Sequence, residues 1–261
     1  MSRKYALIGV EGPHDLAFVG KVLKLLDFKD FKKDLKGEES NLDPFWKKFI
    51  PTYPKKGGKL YERLDMPAIY FTDTLSVAIY AGGGSNLSKN LLAILANHSP
   101  YQKEIVAFGI VADADKGLPN NIAEKFSTEF QKYFPEFPTI AGNVDLGYPR
   151  TGIYVLPDNA QQGVLENILC SCGESAYSLH MEKAALYLDE FDAEHKRKWK
   201  PFDHKKALIA TVVSVLKPGK TNTVSIEDNE WISQNTLSNV PALENFVTFI
   251  KKLLDLETID I

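Results

Sequence analysis

The run EIVAFGIVADAD, residues 104–115, constrains the fold more than any other stretch. Residues 105–112 are apolar without the strict alternation of a strand that has one wet face. A strand of that kind is covered on both sides, as in a parallel sheet that carries helices on each face. Segments of helical period follow such runs along the chain. YALIGVEG (5–12) reads as a short buried strand ending in a turn. HDLAFVGKVLKLL (14–26) reads as the next helix, with Leu16, Val19, Leu23 and Leu26 at helical spacing and Pro13 suited to its entry. PAIYFTDTLSVAIYAGGG (67–84) holds two β-like runs. SNLSKNLLAILANH (85–98) opens on a good N-cap, Ser85 or Asn86, and continues as a helix. LPNNIAEKFSTEFQKYF (118–134) is a helix and TGIYVLP (151–157) a strand.

This alternation from residue 5 to about 156 predicts the α/β class: a mostly parallel open sheet flanked by helices. QGVLENILCSCG (162–173) opens a helical C-terminal third, which continues through ESAYSLHMEKAALYLDEF, HKKALIATVVSVL and PALENFVTFIKKLLDL. The expected organisation is an α/β domain over 1–170 with a basic insertion at about 29–65, and a helical region, 171–261, packed on it. A short helix is expected near DPFWKKFI within the insertion.

A chain of 261 residues with 44% hydrophobic content can bury a sizeable core. No apolar run reaches the ~18–20 residues of a membrane span. The start, MSRKYALIGVEG, is too short in apolar residues for a signal peptide, so a cytoplasmic location without membrane association is expected. Cys170 and Cys172 are too few for a disulfide framework and lack partners at zinc spacing, which leaves them as small buried thiols. The net charge of −3 hides local imbalance. Residues 29–63 carry ten Lys/Arg against six acids, interleaved with Phe31, Phe45, Trp46, Phe49, Tyr53 and Tyr61. HKRKWK (195–200) is a second basic patch. Such patches can track a phosphate backbone while aromatics stack on bases; a solvated lysine-rich surface is the other reading.

In open α/β sheets, ligands bind at the carboxyl ends of the strands. The first strand ends in Glu11, the run at 105–112 ends in Asp113 and Asp115, and Glu166 follows the strand GIYVLP after a short loop. Like-charged carboxylates brought together need a compensating partner, and a hard divalent cation is one. In an extended chain Asp113 and Asp115 point the same way, so both can face an ion if that segment stays extended. Helix capping and turn chemistry are the alternative for this pair. Asp113, Asp115 and Glu124 fall at positions 1, 3 and 12 of a calcium-loop pattern, but Gly117 and Leu118 occupy positions 5 and 6 and the segment follows a strand, so that reading fails. AGGGSN (81–86) precedes a helix, and amides at Gly83, Gly84 and Asn86 can bind a substrate phosphate; a tight turn before a capped helix explains it equally well. LKPGKT (216–221) lacks the first P-loop glycine and ends a helix, which excludes an ATP site of that type. His14 stands beside Glu11 and is placed to join a site there.

VEGPHD after the first strand, VADADKG after a central strand, and GVLEN further on resemble the TOPRIM domain over roughly residues 4–170. YAGGGSNLSKNL and GVLEN look most like the OLD-type nucleases and small stand-alone TOPRIM-like proteins of unknown function. The resemblance implies a TOPRIM-like, Rossmann-like fold. It implies that Glu11 matches the first-motif glutamate, a general acid/base or metal ligand, and that Asp15 matches the second acid of that motif. Asp113 and Asp115 match the metal-binding D-x-D, and Glu166 the late metal-holding glutamate.

Phosphodiester cleavage requires stabilisation of charge on attacking and leaving oxygens, which one or two metal ions supply. A nearby Glu can move a proton. Lys205 and Lys206 in DHKKAL are candidates to stabilise the phosphate, and Lys205 is assigned that catalytic role beside Glu11. The expected function is Mg²⁺- or Mn²⁺-dependent phosphotransfer on DNA or RNA, most simply a TOPRIM-type nuclease, working alone or beside a separate ATPase partner. The alternatives are a TOPRIM-like module that binds metal, nucleic acid or nucleotide without turnover, within a larger complex or not, and a structural protein whose acids only cap helices.

Overall fold

The computed structural model describes residues 3–36, 38–47, 67–97 and 104–256. In chain order its strands are β1 (Lys4–Val10), β2 (Lys29–Asp30), β3 (Ala68–Phe71), β4 (Leu75–Ala81), β5 (Ile105–Asp113), β6 (Val144–Asp145) and β7 (Arg150–Leu156). They form one seven-stranded open sheet in the order β2-β3-β4-β1-β5-β7-β6. The four central strands β4, β1, β5 and β7 run parallel, and antiparallel partners close each edge. The chain is thus of the α/β class expected from its apolar runs.

Helices cover both faces. They are α1 (Pro13–Leu25), α2 (Phe31–Asp34), α3 (Pro44–Lys47), α4 (Leu87–Asn97), α5 (Pro119–Phe130), α6 (Leu165–Ala176), α7 (Ser178–Asp189), α8 (Asp203–Leu216), α9 (Asn222–Asp228), α10 (Gln234–Asn239) and α11 (Pro241–Leu254). The two-residue period of a strand sends neighbouring side chains to opposite cores. Ala6, Ile8 and Val10 of β1 join Ala107 and Val111 of β5 in the core shared with α1, α6 and α11. Leu7 joins Phe108, Ile110 and Ala112 in the core shared with α3, α4 and α5. Both sides being dry, neither strand needs polar alternation.

The last helix is integral to the sheet. Pro241 opens α11 at its first turn, where the missing N–H costs nothing. Leu243, Phe246, Val247, Ile250, Leu253 and Leu254 recur along it at helical spacing and are buried. β5 admits this face closely because Gly109 has no side chain: a Cβ there would stand 2.5 Å from Leu253 Cδ2. α6 runs across residues 170 and 171, so the chain continues from the sheet's last parallel strand into the C-terminal helices without a break in packing.

The described part of the insertion packs on the sheet. Asp30 caps α2, accepting the Lys32 and Lys33 N–H groups at 2.8 and 3.3 Å. The short helix expected near DPFWKKFI is α3. Phe31, Phe45 and Trp46 are buried, with Tyr5 stacked on Phe45 at a centroid distance of 3.9 Å and Trp46 Nε1 donating to Ser76 Oγ at 2.8 Å. These three rings are core, which corrects their reading as a platform for bases. The remaining aromatics of the insertion, Phe49, Tyr53 and Tyr61, lie outside the described residues. No helix among the described residues is long and apolar enough to cross a membrane.

Candidate functional site

The register of the parallel strands brings their carboxyl ends to one edge. Val10 pairs with Ala81 on one side and Val111 on the other, and Asp113 pairs with Leu156. The residues that follow therefore meet. Beyond β1, Glu11 leads into Gly12, the N-cap of α1, and Asp15 sits in the first turn of that helix with its Oδ2 accepting the Gly12 N–H at 2.8 Å. Beyond β4, the Gly84 N–H donates to the Glu11 carbonyl at 2.8 Å. Beyond β7, the chain enters α6, whose Leu165 N–H donates to Asp113 Oδ1 at 2.9 Å.

These ends line a cavity of ≈ 310 Å³. Glu11, Asp15, Asp113 and Glu166 supply four carboxylates to its wall, and His14, Lys206 and the Gly83–Gly84 turn complete it. Asp15 and Glu166 are buried, at 7% and 6% exposure. Burial, then the carboxylates of Asp15, Glu11 and Glu166, push the Asp113 pKa upward against the Leu165 amide. Asp15 is raised by burial, opposed by the Gly12 amide and reinforced by Glu11 and Glu166. Glu11 is raised by burial and by Asp115, while an amide hydrogen bond from Asp113 and the charges of Lys125 and Lys206 pull it back. The acids thus feel one another, as like charges in a poorly solvated space must.

Each carboxylate nevertheless has its own partner: Asp15 has the Gly12 amide, Asp113 the Leu165 amide, Glu11 the Asp113 amide, and Glu166 faces His14 Nδ1 at 3.7 Å. Among the described residues, no group of three or more His, Cys, Asp or Glu side chains is arranged to hold a metal ion. The acids share a cavity without forming a ready cage.

Three expectations change. Asp115 does not continue the extended strand: β5 ends at Asp113, and Asp115 has φ 48°, exposed, with its backbone paired to Gly163. It stands at the rim, because a left-handed residue breaks the alternation that would have aimed it alongside Asp113. Lys206, not Lys205, lines the cavity; Lys205 lies near Cys170. Successive residues on a helix point about 100° apart, so only one of the two can face the acids. Asn86 is exposed in the 3-10 turn Gly84–Asn86 that precedes α4 and is not part of the cavity wall, whereas Gly83 and Gly84 are. Those two glycines have φ of 76° and 62°, a conformation that favours glycine. Two contributions escaped the sequence reading: the Leu165 amide, which only tertiary structure brings to Asp113, and Lys125, an exposed residue of α5 with no motif around it. Cys170 and Cys172 are free and buried, and burial pushes their thiols up to about 11 and about 12.

Residues 5–255 match the family described as "Protein of unknown function (DUF3226)". The chain belongs to the DUF3226 family. This DUF3226 chain resembles the crystal structure of hypothetical protein PH0156 from Pyrococcus horikoshii OT3, with a TM-score of 0.54 and 18% identity over 95% of this chain and 99% of that one. A likeness at that identity speaks to the fold. No curated protein matches the DUF3226 chain.

Proposed function

We propose that the carboxylate cavity is a TOPRIM-type phosphotransfer site and that the chain hydrolyses phosphodiester bonds of nucleic acid with Mg²⁺ or Mn²⁺. The observation that carries this reading is the meeting of four carboxylates, from the ends of β1 and β5 and the first turns of α1 and α6, in one cavity with a lysine. The donor set is all oxygen, which suits a hard divalent cation. Glu11, Asp15, Asp113 and Glu166 would hold it, with Asp115 at the rim. Held by these residues, such a cation would supply charge stabilisation for the phosphoryl oxygens and would lower the pKa of a water. Lys206 places a positive charge beside the acids, where a substrate phosphate needs one. The Gly83–Gly84 turn leaves open space for it, since a Cβ at either residue meets nothing within 4 Å. Glu11, raised by burial and the charge of Asp115, is suited to carry a proton.

A second reading, a binding module without turnover, is favoured by one observation: Asp15, Asp113 and Glu11 already accept backbone amides, which ties up oxygens that catalysis would need free. Purified protein incubated with Mn²⁺ and plasmid DNA, single-stranded DNA or RNA separates the two. The nuclease reading expects cleavage that Glu11→Gln and Asp113→Asn abolish. Cleavage that survives both substitutions removes the site assignment, and absence of cleavage of DNA and RNA leaves the binding module.

A further inference from the structure

Exposed aromatics and a run of cations meet between the end of α7 and the first turn of α8. Tyr187, Phe191 and Trp199 are 56%, 37% and 36% exposed. Each ring has a ring neighbour: Tyr187 and Phe191 have centroids 5.3 Å apart, Phe191 and His195 5.9 Å, and Trp199 and His204 6.0 Å. From residue 195 to 206 the cations are Lys196, Arg197, Lys198, Lys200, Lys205 and Lys206, against the single acid Asp203. Asp203 Oδ2 is engaged by the Lys200 N–H at 2.8 Å. The acids of the neighbourhood, Asp189, Glu190, Asp192 and Glu194, precede the run, and Asp192 Oδ1 contacts the His195 ring at 2.8 Å. Backbone hydrogen bonds from Lys196 to Asp192, Trp199 to Lys196 and Asp203 to Lys200 wind the segment tightly, so its charges are concentrated. Trp199 stands against His204 in the first turn of α8, and Lys206, two residues on, lines the carboxylate cavity.

We infer that this surface is a track that delivers single-stranded nucleic acid to the carboxylate cavity. The inference rests on the phosphodiester reading of that cavity. Cations neutralise phosphates without regard to sequence, and exposed rings stack on bases of any kind. A duplex hides its base faces, so the rings find them only in a single strand. An anionic membrane would also meet the cations, but a bilayer surface cannot follow them into a concave wall at Lys206. Lys196 Nζ lies 5.8 Å from the Trp199 ring centroid, so a cation stands beside a ring that is 36% exposed.

The test is fluorescence polarisation of the full chain in EDTA with labelled oligo-dT and with a duplex of the same length. The expected result is tighter binding of the single strand. Trp199→Ala weakens it about 5-fold or more. Lys196→Gln combined with Arg197→Gln and Lys198→Gln lowers the slope of log affinity against log salt by about 2. None of these positions is buried, and an unchanged melting curve shows that the variants fold. Equal or better binding of the duplex, an unchanged salt slope in the triple variant, or Trp199-independent binding of anionic lipid vesicles in place of oligo-dT overturns the track. Loss of the track with Glu11-dependent cleavage retained leaves the cavity reading standing. Binding retained without cleavage overturns the cavity reading alone.

Discussion

Gly109→Ala probes the seat of α11 on the sheet. The new Cβ would stand 2.5 Å from Leu253 Cδ2, and Leu253 is fully buried, so neither atom has solvent to move into. Overpacking of this kind costs about 2 kcal/mol. For a chain of this size that lowers Tm by roughly 4–8 °C. Leu253→Ala alone removes a buried side chain and costs about 3 kcal/mol. In the double variant the methyl added at position 109 enters space that the leucine has left, so the combined loss falls short of the sum by about 1 kcal/mol or more. Thermal or urea unfolding of the four proteins measures the cycle. Losses that add within about 0.5 kcal/mol, or a Gly109→Ala variant as stable as the parent, would refute the contact and the integral place of α11.

Three further outcomes follow from the site. Asp15, pushed up to about 7, and Asp113, also raised, bind more protons folded than unfolded. Their contribution is therefore present below about pH 4 and lost as pH rises through the neutral range; in EDTA, Tm measured across that range should fall less in Asp113→Asn than in the parent. Gly84→Ala meets no atom but must adopt a φ of 62°, so it costs about 1–2 kcal/mol of strain in a melting experiment, with Gly84→Asn losing less. If the cavity cleaves phosphodiesters as proposed, Lys206→Ala lowers the rate by about 100-fold or more while Lys205→Ala loses far less; the reverse order sinks the placement of Lys206.

Local pattern revealed what local physics decides. The apolar runs at 5–10 and 105–112 fall in β1 and β5, and the run at 151–157 falls in β7 up to Leu156, because strands covered on both faces cannot be polar on either. Pro13 marked the first turn of α1, and the acids after those strands pointed to the cavity edge. What escaped depends on rotation and tertiary approach. Which of Lys205 and Lys206 faces the acids is set by how α8 is turned, and the adjacent pair carries no sign of it. Phe31, Phe45 and Trp46 looked interleaved with lysines, yet all three are buried, and the partners of Phe45 and Trp46, Tyr5 and Ser76, are distant in sequence. Asp115 leaves the strand because the chain turns left-handed to pair with Gly163, a contact 48 residues away that the D-x-D spacing does not encode.

Whether the carboxylate cavity holds a divalent cation is measured by calorimetric titration of Mn²⁺ into the metal-free protein. The expected result is saturable binding by the parent that Asp113→Asn and Glu11→Gln each weaken by about 10-fold or more. Binding that is unchanged in both variants, or a parent that binds no Mn²⁺, would contradict it.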